Sequence, residues 1–402
     1  MKLAVMGYGT IGSGVVKVLD MNKELIAERA GQTLEVKYIL DLREFPGDPH
    51  EKEIVHDFDQ IVSDEEVEIV VETMGGTGAA YQFVKGALTA GKHVATSNKA
   101  LVAKYGSELM QIAKEKNVNF FFEASVGGGI PILRTLAYAL AGDEVEEIAG
   151  ILNGTTNYIM TKMAQDGSRF DDVLKEAQQL GYAELDPTDD VEGYDVGRKI
   201  AILTSLISGK RVDFEDIQIE GISKITAEDM AYAALMERTI KLLADSKKVG
   251  DSYSVMVAPF LLPKENTLTT VNDAFNAVLV KSNALGDSMY YGSGAGSLPT
   301  ASAVVGDVVD IAKHMDHSIS PKWTEEKLEL AGCGDNTVAF FVRVKGGEER
   351  HQQIEELFGE VSYYEAEELA GEFGFVTSEM KEAVMEEKLA GLADVITRIR
   401  LK

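Results

Sequence analysis

Short apolar runs alternating with helical patterns, a glycine-rich loop after the first run, and a strand–helix–strand–strand–helix–strand tail predict an α/β protein with three domains. The first domain, over residues 1–133 and rejoined by a helix within about 303–330, is predicted to hold a parallel sheet of the Rossmann type. Residues 134–302 are predicted to form an α+β domain, and residues 335–402 a βαββαβ module.

Five apolar runs in the first third of the chain predict the parallel sheet. Because longer helical patterns separate them, they indicate βαβ units; the runs are Leu3–Met6, Val36–Leu40, Ile69–Val71, Val94–Thr96 and Asn119–Phe122. The glycine-rich and polar segment Glu123–Pro131 follows them and marks the predicted domain boundary.

Isolated strands, polar loops and helices replace this pattern downstream. Helices are predicted at Tyr158–Gln165, Phe170–Leu180 and Asp195–Ser208, the last because its apolar residues recur at helical spacing. The tail alternates in the order of a ferredoxin-like module, with elements at Val338–Val344, Gln352–Phe358, Val361–Tyr364, Gly374–Val376, Glu379–Leu389 and Val395–Ile399.

The composition excludes several classes of protein. The formal charge of -27, from 66 acidic and 39 basic side chains, is predicted to repel nucleic acid and anionic membrane surfaces. The only cysteine, Cys333, cannot form an internal disulfide. The chain opens on a strand-like run in place of a secretory signal, and no apolar stretch reaches the roughly 18 residues of a membrane span. We therefore expect a soluble, cytoplasmic protein.

The glycine-rich loop has the pattern GxGxxG and stands between a strand and a helix. Gly7 permits the tight turn, Gly9 lets the backbone approach a pyrophosphate, and Gly12 allows close packing of helix on strand. The loop also contains Thr10 and Ile11, where the following helix begins and its amino terminus stabilises phosphates. The loop predicts a dinucleotide site.

Residues after the later strands bear on the identity of this dinucleotide. Asp41 follows the second strand, where a carboxylate binds the ribose of NAD, whereas Arg43 is suited to the 2′-phosphate of NADP. The choice stays open, with a weak preference for NAD. Thr73 and Lys99 follow the third and fourth strands, at the carboxyl edge where open α/β sheets bind ligands, and are candidate cofactor contacts.

The densest group of reactive side chains lies between Glu184 and Lys199. Five acidic residues precede Asp195, and Lys199 follows it by four positions, which places Asp195 and Lys199 on one face of a helix. A lysine near carboxylates can relay the proton of an alcohol while a hydride moves to a nicotinamide. The alternative is a solvated acidic loop with an ordinary helix ion pair, worth roughly a few tenths of a kcal/mol.

These patterns resemble the homoserine dehydrogenases over roughly residues 1–330. The most specific segment is Ala177–Lys199, in which Gly181-Tyr182-Ala183, Asp186-Pro187, Asp190-Val191, Gly193, Asp195 and Lys199 keep the family's spacing. Further similar segments are Ser97–Leu101, Glu123–Pro131, Asn153–Ile159 and Tyr291–Thr300, with Asp307. The resemblance implies NAD(P)-dependent interconversion of L-aspartate 4-semialdehyde and L-homoserine, on the route to threonine and methionine.

The resemblance also implies a role for individual residues. Lys199 is implied as the proton donor to the aldehyde oxygen, with Asp195 beside it, and Lys99 as a second lysine on the catalytic or cofactor side. Homoserine contacts are implied at Glu184, Asp190, Asp195 and Lys199, and cofactor contacts at Gly181, Glu184, Gly294 and Gly296. A structural sodium ion is implied at a carboxylate and backbone carbonyls, in the segment with Glu123, Val126, Gly128 and Ile130.

One position departs from the family pattern, because Leu40 stands where many relatives have arginine before Asp41, which puts a preference for NADP in doubt. The tail from about Thr337 resembles an ACT domain, a module that commonly binds a small amino acid, and threonine is the obvious effector to test. The alternative is a tail that only supports assembly. A homodimer or higher homo-oligomer is expected.

Two other functions are alternatives to this one. A dinucleotide- and amino-acid-sensing regulatory protein without turnover would explain both ends of the chain but leave the acidic residues and Lys199 without a task. A semialdehyde dehydrogenase that forms an acyl-enzyme needs a thiolate at the cofactor cleft, and Cys333 lies in the wrong segment for it.

Overall fold

The computed structural model describes residues 1–402, which divide into two compact units. Unit 1 comprises Met1–Glu144, Ala201–Glu215 and Tyr290–Leu328. Unit 2 comprises Val145–Ile200, Asp216–Met289 and Glu329–Lys402. No helix combines the length and the apolar character that crossing a membrane requires.

Strands and helices alternate along most of the chain. The strands β1 to β18 are, in chain order, Lys2–Met6, Glu35–Leu40, Ile54–Val55, Val67–Glu72, His93–Thr96, Phe120–Phe121, Val145–Ile151, Gln218–Ile219, Arg238–Val249, Ser252–Pro263, Phe275–Ser282, Gly286–Ser293, Thr337–Val338, Phe340–Lys345, Val361–Tyr364, Glu372–Thr377, Met380–Lys381 and Val395–Leu401. The helices α1 to α14 are Thr10–Met21, Lys23–Ala30, Phe58–Val62, Ala79–Thr89, Lys99–Glu115, Ile132–Arg134, Gly154–Asp166, Phe170–Gln179, Thr188–Val191, Tyr194–Ser208, Ala227–Leu235, Ser297–Lys313, His351–Phe358 and Glu382–Ala390.

Unit 1 contains a six-stranded parallel sheet in the order β3-β2-β1-β4-β5-β6. This is the Rossmann strand order, and it confirms the predicted fold class of this region. The strand Ile54–Val55 was not predicted, because its two half-buried residues do not make a recognisable apolar run. All five predicted runs form strands, with ends that differ by up to two residues.

The core of unit 1 joins the first strand to a helix from late in the chain. Val5 of β1, Val15 of α1 and Val304 of α12 are fully buried in one apolar cluster. Gly14 allows α1 and α12 to meet closely, since a Cβ there would lie 2.6 Å from the Ser297 Oγ. The carboxyl ends of β1, β2, β4 and β5 consequently share one edge with the amino terminus of α1.

Unit 2 is built on a large sheet in the order β12-β11-β7-β9-β10-β18-β14-β16-β15. Its long antiparallel hairpin, β9 and β10, pairs from Ser252–Val249 to Pro263–Arg238. Leu243, Met256 and Leu262 lie in an apolar core on one face of this hairpin. The helix α7 and the first half of α10, up to Ile200, belong to this unit and carry the candidate site.

The C-terminal module has the predicted βαββαβ order, and its strands lie in the sequence β18-β14-β16-β15, all antiparallel. Two predicted boundaries were wrong. The strand predicted over Val338–Val344 is interrupted at Ala339, and the helix predicted from Glu379 begins at Glu382. Both differences have one cause, because Thr337–Val338 and Met380–Lys381 pair as a short ribbon of their own.

Gly12→Ala should destabilise unit 1, because the new Cβ would lie 1.8 Å from the Gly7 carbonyl oxygen in the closely packed turn. We expect a loss of about 2 kcal/mol or more in the free energy of unfolding, measured by denaturant titration. Gly9→Ala is the matched control, since its Cβ would meet no atom within 4 Å. Equal stability of the two variants would contradict this account of the turn.

Candidate active site

The glycine-rich loop forms an anion-binding turn in unit 1. Gly7 has φ +91°, a left-handed conformation that disfavours any side chain. The amino terminus of α1 has no side-chain cap, so its first N–H groups are available to a phosphate. Thr73 Oγ1 donates to the Gly7 carbonyl at 2.8 Å, and Ser297 Oγ donates to the Thr10 carbonyl at 2.7 Å.

Further predicted cofactor residues of unit 1 lie on other loops and helix starts. Ser297 begins α12 directly after Gly296, which has φ +113°, and a Cβ on Gly128 would lie 2.4 Å from the Gly294 carbonyl oxygen. Gly128 and Gly294 therefore form a second close approach of backbone to backbone, just before the start of α12. Lys99 is the first residue of α5, at the same edge of the sheet.

Asp41 and Arg43 form an ion pair beside the same turn. The Asp41 carboxylate accepts from the Tyr8 N–H at 2.8 Å and from the Arg43 Nε at 3.0 Å. Hydrogen bonding from Arg43 lowers the pKa of Asp41 well below its usual range. Asp41 is largely buried and the Arg43 side chain is 61% exposed. The guanidinium is thus the group that an incoming phosphate would reach.

Glu72, which sequence reasoning missed, connects the two loops that follow β4 and β5. Its buried carboxylate accepts from the Met74 N–H at 2.8 Å and from the Thr96 hydroxyl at 2.5 Å. Burial raises the pKa of this carboxyl group. Asn98 Nδ2 donates to the Gly76 carbonyl at 2.7 Å and completes the link. The available signal was a carboxylate ending an otherwise apolar strand.

In unit 2 the structure brings Asp195 and Lys199 together on α10. Lys199 Nζ donates to Asp195 Oδ2 at 2.7 Å and to the Leu152 carbonyl at 2.6 Å. Asp195 is 2% exposed and Lys199 8% exposed. The pair is therefore buried, unlike the solvated ion pair that the spacing also allowed. Burying two charges is costly unless they are paired and hydrogen-bonded, as they are here.

Asn153, also missed as a site residue, holds the two acids of this cluster. Its Nδ2 donates to Asp190 Oδ1 at 2.7 Å and to Asp195 Oδ2 at 2.9 Å. Its Oδ1 accepts from the Thr156 N–H at 2.8 Å and caps α7. The Asn-Gly-Thr-Thr sequence carried a helix-start signal, but nothing in it indicated contact with residues about 40 positions later.

Two predicted contacts, Gly181 and Glu184, lie on the loop between α8 and α9. Gly181 has φ +76° and open space where a Cβ would stand. Glu184 is exposed, and its backbone carbonyl accepts from Gln178 Nε2 at 3.0 Å. Its carboxylate stands outside the bonded cluster of Asn153, Asp190, Asp195 and Lys199.

The predicted sodium ligands surround a buried carboxylate that already has backbone partners. The Glu123 oxygens accept from the N–H groups of Leu133 and Arg134, each at 2.8 Å. The Ile130 carbonyl accepts from the Ile132 N–H at 2.9 Å, and Val126 is fully buried in the same segment. Carboxylate and carbonyl oxygens are the ligands that a hard cation prefers. The two backbone N–H groups already satisfy the Glu123 carboxylate, however, so its burial does not require a cation.

Asp307 lies against Glu123 and completes this buried group. Asp307 Oδ2 accepts from the Glu123 N–H at 2.9 Å, and its other oxygen is paired with the Arg134 guanidinium. Burial, with the neighbouring Glu123 carboxylate, raises the pKa of Asp307 to about 7. No cluster of three or more histidine, cysteine, aspartate or glutamate side chains is arranged to hold a metal ion.

Comparison with protein families and curated proteins agrees with this geometry. The family model of the homoserine dehydrogenase NAD binding domain matches residues 7–123, and that of homoserine dehydrogenase matches residues 131–309. The chain is 44% identical over 317 residues to the homoserine dehydrogenase of Bacillus subtilis, covering 78% of this chain and 73% of that one. It is 40% identical over 352 residues to the homoserine dehydrogenase of Helicobacter pylori, covering 87% of this chain and 83% of that one.

Solved structures extend the similarity to the tail. A homoserine dehydrogenase from Thiobacillus denitrificans aligns with 100% of this chain and 98% of its own, at 36% identity and a TM-score of 0.91. A hyperthermophilic archaeal homoserine dehydrogenase in complex with NADPH aligns with 77% of this chain and 97% of its own, at 28% identity and a TM-score of 0.66. By its matched domains, its curated relatives and its fold, this chain belongs to the homoserine dehydrogenase family.

Proposed function

We propose that this chain catalyses the NAD(P)-dependent interconversion of L-aspartate 4-semialdehyde and L-homoserine, within threonine and methionine biosynthesis. The observation that carries the proposal is the buried Lys199–Asp195 pair, bonded at 2.7 Å on α10. A charged pair in this setting adds little net stability compared with apolar side chains of the same size. A regulatory protein without turnover would have no need of it.

Lys199 is the proposed proton donor and acceptor for the reacting oxygen. When bound, the nicotinamide supplies or accepts the hydride at the carbon that bears this oxygen. Asp195 and the Leu152 carbonyl hold the Lys199 Nζ in place, which lowers the cost of orienting it for proton transfer. Lys99 remains a candidate second lysine on the catalytic or cofactor side.

The acidic residues of unit 2 are the proposed contacts for the amino group of the substrate. Asp190 and Asp195 share the Asn153 amide, which fixes the distance between their carboxylates. Carboxylates placed in this way suit an ammonium group by charge and by hydrogen bonding. Glu184, exposed in this structure, is the proposed third contact and, with Gly181, a proposed contact for the cofactor.

The cofactor is proposed to be NAD or NADP, bound at the glycine-rich loop. The Rossmann strand order and the uncapped amino terminus of α1 fit a pyrophosphate. Thr73 and the glycines at 294 and 296 are the proposed neighbours of this group. The related archaeal enzyme binds NADPH, and the exposed Arg43 gives this chain a group for the extra phosphate.

Three further proposals come from the family resemblance. The C-terminal module is proposed to be an ACT domain, supported by its βαββαβ order, with threonine as the first effector to test. The protein is proposed to act as a homodimer or higher homo-oligomer. A sodium ion at Glu123, Val126, Gly128 and Ile130 is proposed to have a structural role only, so no catalytic step depends on it.

Lys199→Ala should lower kcat for homoserine oxidation by about 10²- to 10⁴-fold, the usual contribution of a positioned general acid or base. Dinucleotide affinity, measured by fluorescence titration, should stay unchanged. Lys162→Ala is the matched control, because Lys162 forms the same i,i+4 ion pair with Asp166 on a half-exposed helix surface. Near-native turnover in Lys199→Ala would refute the proton-transfer role.

Asn153→Ser should separate positioning of the acids from capping of α7. Serine keeps an oxygen that caps the helix but lacks the amide that donates to Asp190 and Asp195. We expect kcat/KM for homoserine to fall by about 10- to 100-fold, as hydrogen bonds to charged groups are lost, and the melting temperature to fall by a few degrees, because buried Asp195 loses one of its donors. Unchanged kcat/KM would show that the Asn153 amide is dispensable.

Arg43→Ala should weaken NADP far more than NAD. Losing a charge-assisted contact to the 2′-phosphate predicts a KM for NADP raised about tenfold, with the KM for NAD within about twofold. Side-by-side kinetics with the two cofactors, with and without threonine, supply the measurement. Equal changes in both KM values would exclude Arg43 as the phosphate contact.

A further inference from the structure

The last strand of the tail and a short strand near the candidate site extend the same edge of β10. β8 pairs in parallel with Met256 and Val257, and β18 pairs in parallel with Phe260 and Leu261. The opposite edge of β10 is occupied throughout by β9. Glu220, the residue that follows β8, is therefore placed beside the arginines of β18.

Glu220 is held by two arginines of that strand. Arg400 Nη2 donates to Glu220 Oε1 at 2.8 Å and its Nη1 to Oε2 at 3.0 Å, while Arg398 Nη1 donates to Oε2 at 3.1 Å. Arg400 is only 1% exposed. Burial alone raises the pKa of Glu220, but these guanidiniums lower it to about 2, so the carboxylate is charged at neutral pH.

The backbone after Glu220 contacts the loop that carries the acidic residues. The Ile222 N–H donates to the Val191 carbonyl at 2.8 Å. A Cβ on Gly221 would lie 2.3 Å from that same oxygen, so the two backbones meet with no room for a side chain. Gly193 also packs against β8, where its Cβ would lie 3.1 Å from Ile219 Cγ2.

This loop leads directly to the proposed substrate contacts. Val191 follows Asp190, and the Gly193 N–H donates to the Asp190 carbonyl at 3.0 Å. Gly193 in turn accepts from the Gly197 N–H at 2.9 Å, in the first turn of α10 that presents Asp195. A displacement of the segment 220–222 would thus be transmitted to both acids through direct contacts.

We propose that Glu220 is a positioning residue, through which the arginines of β18 hold the loop of Asp190 and Asp195 in its substrate-binding geometry. The inference rests on the proposed substrate-binding role of those two acids. It assigns to the tail a second task besides ligand binding, because the affinity for homoserine then depends on where β18 lies.

Glu382 supplies the matched control for Glu220. It is the second carboxylate on Arg400, accepting from Nε at 3.0 Å and from Nη2 at 2.7 Å, yet it lies within the C-terminal module on α14. Glu220→Gln and Glu382→Gln therefore each remove one charged partner of the same arginine. A merely structural role predicts that both variants lose thermal stability and keep the kinetics of the native enzyme.

We expect Glu220→Gln to raise the KM for homoserine about fivefold, with kcat within about twofold and the KM for the dinucleotide unchanged. Glu382→Gln should leave all three parameters as in the native enzyme. The kinetics are measured well below the melting temperature of either variant. A normal KM in Glu220→Gln, or an equal rise in Glu382→Gln, would overturn the inference.

Arg398→Gln keeps the test decisive if Glu220→Gln does not fold. Arg398 is more exposed than Arg400, with 23% of its side chain accessible, and it also pairs with Glu386 at 2.6 Å. We expect its loss to raise the KM for homoserine about twofold, and an unchanged KM would count against the inference. Absence of homoserine turnover in the native enzyme would instead refute the proposed function itself.

Discussion

The buried ion pair between Lys199 and Asp195 is the constraint around which unit 2 is organised. Two charges removed from water need near-ideal geometry and further hydrogen bonds to offset their lost solvation. The chain supplies these from two separate segments: the turn between β7 and α7, through the Leu152 carbonyl and the Asn153 amide, and α10 itself. Each segment is consequently restricted in position, and together they define a preorganised polar site.

Unit 1 meets a different requirement, the close approach of backbone to backbone. Glycine at positions 7, 12 and 14 leaves space that any side chain would fill, which lets the strand, the turn and α12 converge. Buried Glu72 then aligns the loops after β4 and β5 through backbone N–H groups and the Thr96 hydroxyl. Burial raises the pKa of the Glu72 carboxyl group. Its role at the sheet edge is to hold these two loops in position.

The sequence predicted what depends on local patterns and missed what depends on tertiary contact. The GxGxxG loop, the βαβ alternation and the i,i+4 spacing of Asp195 and Lys199 are short-range signals, and the structure bears out the elements that they indicate. Asn153 and Glu72 give no such signal, because their partners come from distant parts of the chain. Burial of the Lys199–Asp195 pair was equally hidden, since the same spacing also occurs between exposed side chains, as where Lys162 pairs with Asp166 on the outer face of α7.

Pairing of β18 with β10 has a consequence for how the chain reaches its folded state. Phe260 pairs with Arg400, so a strand near the centre of the large sheet receives a neighbour that is synthesised long after it. Until that neighbour arrives, the backbone of β10 beyond Val257 presents unpaired N–H and C=O groups, which invite association with other chains. A chain that ends before β18 would therefore keep an exposed strand edge, and the cell would have to shield or degrade it.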